Sequence, residues 1–168
     1  MKKIIFSLTL LTLSLFLSCK EQNEDLIIGT WQFNNYYFNN VEATTQYADE
    51  QQYPCGGNTI AYTPFYKIES LEWEFKEDGS FKSTEIGKSY DANLDICQSG
   101  SKIDEYVPSD EVQSYEGYWS ISDGGKGNQI TLQFDGYYFS VDILSIGKFG
   151  MNVEYNVDGN TIRIDFWR

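Results

Sequence analysis

Apolar and polar residues alternate along most of the chain after residue 26, which is the pattern of strands that bury one face. In the segment 70–76, Leu71, Trp73 and Phe75 fall on one face, and Glu, Glu and Lys fall on the other. The same alternation recurs in three later segments, 130–134, 151–157 and 162–166. Helical periodicity is hard to find there. The pattern therefore predicts an all-β chain.

Turn signals divide these strands. The pair Asp-Gly, which supplies the positive φ angles of a tight hairpin, occurs four times, at residues 78–79, 123–124, 135–136 and 158–159. Reading outward from these turns predicts eight strands in sequential hairpins, at 27–38, 70–76, 80–85, 115–122, 129–134, 137–144, 149–157 and 161–167.

Eight consecutive antiparallel strands leave exposed edges unless the sheet closes on itself. We therefore predict an eight-stranded antiparallel meander barrel, which has room for packed side chains or one small ligand. A flatter sandwich would show the same alternation. Two segments, 39–69 and 86–114, break the hairpin rhythm and are predicted to be long irregular loops, either lids and binding loops or disordered decorations.

The first residues carry a different pattern. Lys2 and Lys3 precede an apolar run at 4–17, and a small residue stands just before Cys19. This leader resembles that of bacterial lipoproteins processed by signal peptidase II, whose cysteine receives acyl chains such as palmitate. The resemblance implies removal of the signal peptide 1–18, lipid attachment at Cys19, and a cell-envelope location at the outer membrane, facing the periplasm or the exterior.

An ordinary cleaved signal peptide and a retained transmembrane anchor are the alternatives, but a spanning helix needs roughly 20 residues. Residues 20–25 are polar and rich in acids, and they resemble the export signal of surface lipoproteins of Bacteroidetes-type bacteria. A solvated tether between the lipid and the domain would have the same composition. The predicted organisation is thus a lipidated cysteine and tether at 19–25, followed by one barrel domain at 26–168.

Charge and composition exclude several functions. The formal net charge is −13, and removal of residues 1–18 takes away two lysines and no acid, which leaves −15. Nucleic acid is therefore not an expected partner, since phosphate binding depends on Lys and Arg. The chain contains no histidine, which removes Ser-His-Asp and Cys-His catalysis and His-ligated metals. We predict no catalytic residues, no cofactor and no metal site.

With Cys19 acylated, Cys55 and Cys97 remain as a pair in an oxidising compartment, where a disulfide is the default. Each lies in one of the two long segments that interrupt the hairpins, so a bridge would staple the two together. A redox or metal-binding pair is the alternative, although the spacing of a CxxC motif is missing.

The first strand opens with Gly29-Thr30-Trp31, and the span 26–168 resembles the lipocalin-like domains of bacterial lipoproteins. In lipocalins the Trp of the Gly-X-Trp signature plugs the closed end of the barrel, and an Arg near the last strand lies across its ring. The resemblance thus implies a structural role for Gly29 and Trp31, with Arg163 or Arg168 as the partner of the ring.

The leading functional hypothesis is a non-enzymatic, lipid-anchored module that binds a small hydrophobic or amphiphilic ligand, or another envelope component. Seven inward-facing aromatic residues are candidates to line its cavity: Trp73, Phe75, Phe81, Trp119, Phe134, Phe139 and Tyr155. Each could instead be ordinary core. The alternative is a surface module for carbohydrate or protein adhesion, since 13 tyrosines offer stacking faces.

Two further hypotheses depend on acidic residues. Glu72 and Glu74 have a spacing that suits a glycosidase pair, but alternation puts them on the polar outer face. Acidic residues that could bind calcium crowd one loop, at Asp91, Asp95, Asp104 and Glu105, but the EF-hand spacing is missing. Both sets of acidic residues would also occur on an ordinary solvated surface.

Overall fold

The computed structural model describes residues 23–96, 105–125 and 127–168. Its strands are β1 (Gly29–Phe38), β2 (Val41–Glu42), β3 (Thr45–Tyr47), β4 (Gln51–Cys55), β5 (Asn58–Tyr62), β6 (Phe65–Phe75), β7 (Ser80–Ala92), β8 (Tyr106–Ile121), β9 (Gln129–Phe134), β10 (Tyr137–Ile146), β11 (Gly150–Val157) and β12 (Asn160–Trp167). The helices are α1 (Asn23–Ile27), α2 (Ser122–Gly125) and a 3₁₀ turn at Leu94–Ile96.

Eight of these strands form a closed antiparallel barrel in the order β1, β12, β11, β10, β9, β8, β7, β6, and β6 pairs back with β1. The closing pairs run from Gly29 opposite Phe75 to Gln32 opposite Glu72. The predicted all-β class and eight-stranded antiparallel barrel are confirmed, and each predicted strand corresponds to one barrel strand. The closed sheet also rules out the sandwich.

The prediction that residues 39–69 and 86–114 are irregular is wrong. β6 already begins at Phe65, β7 continues to Ala92, and β8 starts at Tyr106. β7 and β8 therefore form one long hairpin that extends past the barrel, and β6 pairs with β7 as far as Phe65. The extension has few buried apolar positions, and Val107 and Val112 are 50% and 68% exposed. Because neither face of this hairpin is fully covered, its sequence lacks the alternation that reveals the other strands.

Short strands occupy the rest of the first long segment. β2 pairs with β1, and β3 pairs with β6, so the chain crosses the gap where these two barrel strands diverge. β4 and β5 form a separate hairpin. Its Cys55 and Ile60 pack with Ala92 at the end of β7, in a small second core. The two long segments are therefore joined by apolar packing.

The Asp-Gly turns behave as predicted in two of the four places. In one turn Asp135 and Gly136 have φ of 50° and 80°, and in the other Asp158 and Gly159 have φ of 51° and 80°. These are the angles of a two-residue type I′ hairpin. Gly79 also has a positive φ of 80°, but it ends a longer turn. The fourth prediction is wrong, because residues 123–124 lie in α2. A turn at Asn39-Asn40 was not predicted.

The two ends of the barrel differ. At the closed end, where β1 begins, α1 contacts α2 and β10, and Ile27 is fully buried. Asn23 Nδ2 donates a hydrogen bond of 2.9 Å to the carbonyl of Gly127, which ties α1 to the barrel. This helix thus begins inside the segment predicted to be a tether. At the opposite end, which we call the open end, β1 finishes and the long β7–β8 hairpin projects.

Candidate functional site

The interior of the closed-end half is filled by aromatic rings. Trp73 packs edge-on against Phe75 and Phe81, with ring centroids 6.0 and 5.7 Å apart. Trp119 meets Phe75 edge-on at 5.5 Å, and its Nε1 donates a 3.0 Å hydrogen bond to the carbonyl of Lys76. All four rings are at most 8% exposed. The structure therefore brings four of the seven candidate cavity residues together as packed core.

Trp31 plugs the closed end below these rings. It is fully buried, and its Nε1 donates a 2.7 Å hydrogen bond to the carbonyl of Ile27. The guanidinium of Arg168 lies 4.0 Å from the centre of the Trp31 ring and donates hydrogen bonds to the carbonyls of Leu26 and Ile28. Burial lowers the pKa of Arg168. The Trp31 ring, the Arg168 guanidinium and α1 are thus held together as one unit by these contacts.

Gly29 makes room for this unit. Its φ is 130°, and a Cβ built there would meet Arg168 Nη2 at 3.3 Å. Arg163, the other candidate partner of Trp31, lies elsewhere, with its guanidinium 4.0 Å from the ring centre of Tyr37. The geometry of the Gly-X-Trp segment therefore involves Arg168 and not Arg163.

The interior of the open-end half is different in character, because hydroxyl and carboxylate groups replace the aromatic packing. Glu85 lies opposite the buried Leu71 in the β6–β7 ladder, and opposite residues share a face, so Glu85 is on the inner face. Burial, and then the Glu85 carboxylate, raise the pKa of Tyr36 to about 12. Burial, Tyr36 and Glu85 also raise the pKa of Tyr155. These groups form one electrostatic cluster.

Tyr66 is the fourth member of this tyrosine–Glu85 cluster. Burial, followed by the carboxylates of Glu85, Glu111 and Glu69, raises its pKa. Although Glu85 is near enough to act on it, the buried Tyr66 hydroxyl makes no hydrogen bond of normal geometry in the part of the chain that the structure describes. An unsatisfied buried hydroxyl costs about 1–3 kcal/mol, so it is a natural place for a ligand group to bind.

Two β-bulges hide this cluster from the alternation of the sequence. In β1 the register shifts between Phe33 and Asn35, and in β6 it shifts between Ile68 and Ser70. Each bulge moves the inner face by one position, which turns Tyr36 and Tyr66 inward. Of the four residues, the candidate set contained Tyr155 alone. Glu85 follows the regular alternation after Phe81 and could have been found from the sequence.

A cleft opens in the barrel wall beside the tyrosine–Glu85 cluster. The β10–β11 pairing stops at Asp142 opposite Glu154, and beyond it the two strands separate around a cleft of about 490 Å³. Phe139 and Tyr155 both line this cleft. Phe139 stacks on Phe134 with ring centroids 4.9 Å apart. The last three candidate cavity residues therefore lie at the open end, and the cleft has the size of a small-molecule site.

A second cleft lies across the barrel, at the edge formed by β3, β6 and β7. Its volume is about 350 Å³, and Gln46, Tyr66 and Ser89 are among its lining residues. Gln46 also reaches inward, where its Nε2 is 3.4 Å from the Tyr36 hydroxyl. Tyr66 and Tyr155 thus each belong to the cluster and to one of the two clefts.

Among the acidic candidates that the structure describes, Asp91 lines the cleft at β3, β6 and β7, and Glu72 and Glu74 line neither cleft. Glu72 accepts a hydrogen bond from Gln32, and Glu74 lies 3.7 Å from Lys76 in a surface ion pair. Asp91 accepts the backbone N–H of Ala92. Asp104 falls outside the described residues, and within them no group of His, Cys, Asp and Glu is arranged to hold a metal ion.

Two lipoprotein-related predictions fall on residues that the structure does not describe. Cys19 precedes Asn23, where the description begins, and Cys97 follows Ile96. Cys55 is buried at 2% exposure. Lipid attachment and the Cys55–Cys97 bridge therefore stay predictions. Among the described helices, none is long and apolar enough to cross a membrane.

Comparison of the chain with protein-family models, with curated proteins and with solved structures finds no match. The fold itself defines the class, a closed eight-stranded antiparallel β-barrel.

Proposed function

We propose that the protein is a non-enzymatic, lipid-anchored binding module of the cell envelope, whose barrel holds a small amphiphilic ligand at its open end. The supporting observation is the change in the inner face along the barrel. One half is packed with aromatic rings, whereas the other half presents Tyr36, Tyr66, Tyr155 and Glu85, with one buried hydroxyl unsatisfied. A site of this kind suits a ligand with one apolar and one polar part.

The chemistry of the cluster indicates how such a ligand would lie. Its apolar part would run along Phe134 and Phe139 in the cleft between β10 and β11. Its polar group would reach Glu85 and the tyrosine hydroxyls. An ionised carboxylate only accepts hydrogen bonds, so the polar group is expected to donate them, as a hydroxyl or an ammonium does.

The test uses three fluorescent probes that share one alkyl chain and differ in the head group: an amine, a hydroxyl or a carboxylate. The amine and hydroxyl probes should bind about tenfold more tightly than the carboxylate probe, a difference of about 1.4 kcal/mol. Glu85→Gln should abolish that preference. Glu116→Gln is the matched control, because Glu116 is exposed and pairs with Lys82 at 3.4 Å. Retention of none of the probes, or an unchanged preference in Glu85→Gln, would refute the site.

The lipid anchor has its own test. Mass spectrometry of the mature N-terminal peptide should show diacylglyceryl and acyl additions on Cys19. A protein is held stably on a membrane only by two or more acyl chains, so a single addition would not suffice. Cys19→Ser should leave the precursor unprocessed. A mature protein that starts elsewhere, or an unmodified Cys19, would contradict the anchor.

A second candidate function is adhesion to carbohydrate or protein at the cell surface. Tyr137 and Tyr138, the first residues of β10 at the open end, are 68% and 69% exposed, and Tyr47 is 72% exposed. Exposed tyrosines stack on sugars and suit protein interfaces. Glycan-array signals that disappear in Tyr137→Ala/Tyr138→Ala, but persist in Glu85→Gln, would favour this function over the barrel ligand.

A further inference from the structure

Exposed apolar side chains gather at the closed end of the barrel. Phe149, in the β10–β11 turn, is 71% exposed, and Trp167, at the end of β12, is 54% exposed. The backbone N–H of Arg168 donates to the carbonyl of Phe149, which joins the turn to the strand end. Lys148 Nζ lies 5.5 Å from the centre of the Phe149 ring. We call Lys148, Phe149 and Trp167 the closed-end patch.

The first described residue lies at the same end. α1 starts at Asn23 and covers the closed end, and three residues separate Asn23 from Cys19. Because a residue spans at most about 3.6 Å, the Cα atoms of Cys19 and Asn23 are within about 15 Å of each other. An eight-residue strand such as β12 is about 26 Å long. A lipid on Cys19 would therefore hold the closed end, and not the open end, near the membrane.

We propose that the closed-end patch docks on the lipid surface, with Phe149 and Trp167 in the interfacial region and Lys148 among the headgroups. This proposal rests on the lipid anchor proposed above. Trp is favoured at membrane interfaces, and Lys can extend its charge to water while its stem stays apolar. The anchor and the patch together fix the orientation of the barrel, with both clefts facing the aqueous side.

Tryptophan quenching tests this orientation directly. Trp31, Trp73 and Trp119 are 0%, 6% and 8% exposed, so contact of tryptophan with lipid must come from Trp167. The lipidated full-length mature protein is reconstituted in phosphatidylcholine vesicles that contain phosphatidylcholine brominated at carbons 6 and 7. Bromolipid should quench the emission, and Trp167→Phe should remove that quenching.

The matched reporter is Tyr137→Trp in the Trp167→Phe background, which places an exposed tryptophan at the open end. It should remain unquenched by bromolipid yet be quenched by iodide in solution. Quenching of this reporter, or the absence of Trp167 quenching, overturns the docked orientation. Association of two copies through the patch would also leave Trp167 unquenched.

Flotation of the same vesicles separates the two proposals. If the protein does not float with the lipid, the anchor at Cys19 fails and the docking fails with it. If the protein floats but Trp167 is unquenched, the anchor stands and the docking alone is wrong. Phe149→Ser should reduce the Trp167 quenching without changing the fraction that floats, because it alters the patch and not the acyl chains.

Discussion

At the scale of single residues, Arg168 makes several contacts that stabilise the closed end. Its guanidinium lies on the face of the buried Trp31 ring and donates hydrogen bonds to the carbonyls of Leu26 and Ile28 at the end of α1. A cation–π contact of an exposed Arg is worth about 0.5–1 kcal/mol, and hydrogen bonds from a charged group to carbonyls add about 1.5–3 kcal/mol to it. Arg168 therefore holds α1 over the closed end.

Arg168→Ala should lower the free energy of unfolding by about 2–4 kcal/mol, because both the ring contact and the carbonyl partners are lost. Arg163→Ala removes a cation from the Tyr37 ring and a 3.6 Å ion pair with Asp165, and it should cost about 1 kcal/mol. Urea unfolding followed by fluorescence measures both. Equal losses for the two variants would show that Arg168 has no special role.

The buried tyrosines predict a loss of stability at alkaline pH. The pKa of Tyr36 is raised from 10.0 to about 12, and those of Tyr66 and Tyr155 are raised as well. Above pH 10 the unfolded chain releases these protons while the folded protein keeps them. The free energy of unfolding should therefore fall as pH rises from 10 to 12, by up to about 1.4 kcal/mol per pH unit for each tyrosine.

Urea unfolding at pH 9, 10 and 11 tests this dependence. Tyr36→Phe should make the slope shallower, because one of the shifted groups is gone. Tyr118→Phe is the control, since Tyr118 is 64% exposed. The same slope in the wild type and in Tyr36→Phe would contradict the burial of this hydroxyl.

At the scale of secondary-structure elements, the sequence predicted the regular strands and missed the irregular ones. Strands such as β11 and β12 bury one face along their length, so their alternation is complete. β8 is different, because within the described residues its segment 106–117 pairs with β7 alone. Pro108, Asp110 and Glu116 occur on this segment, and such residues protect a free sheet edge from pairing with other chains.

The candidate site was only partly predictable for a related reason. A bulge adds one residue without leaving any mark in the hydrophobic pattern, so alternation could not show which residues after Asn34 and before Ser70 face inward. The candidates Trp73 and Phe75 were assigned to the correct face, but alternation does not distinguish packed core from the lining of a cleft. That distinction depends on the distances between strands.

The hairpin β4–β5 carries Cys55, one of the two cysteines of the predicted disulfide. Cys55 packs beside Ala92, which precedes Cys97 by five positions in the sequence. A bridge between Cys55 and Cys97 would close a loop of about 42 residues, which should stabilise the fold by about 4 kcal/mol. Cys55→Ser, Cys97→Ser and the double variant should therefore all lose about the same free energy of unfolding.

Thermal or urea unfolding of the three variants, together with thiol titration of the unfolded wild type, checks this bridge. The wild type should show no free thiol at residues 55 and 97 before reduction. Additive losses in the double variant, or two reactive thiols in the oxidised protein, would contradict a bond between Cys55 and Cys97.

At the scale of the whole molecule, the two halves of the barrel differ in how tightly their interiors are packed. Trp73 contacts Phe75, Phe81 and Phe166, whereas Phe139 stacks on one ring beside an open cleft. Trp73→Ala should cost about 3–5 kcal/mol, because it leaves a cavity in a packed core. Phe139→Ala should cost less than half as much but should weaken probe binding at least tenfold.

Parallel unfolding and probe-binding measurements on the two variants distinguish these roles. If Phe139→Ala binds the amine and hydroxyl probes as tightly as the wild type, the cleft is not the ligand site. Comparable stability losses in both variants would instead show that the open-end half is as tightly packed as the closed-end half.

The pairing of β1 with both β12 and β6 has a consequence for how the newly made chain reaches its folded state. β1 is the first of the barrel strands to be synthesised, yet one of its neighbours is the last. Its two edges can be filled only after the intervening hairpins have lined up, and such distant pairings make folding slow. Until then β6 and β12 each present an unfilled edge, so a chaperone that shields exposed strands would protect the folding chain from aggregation.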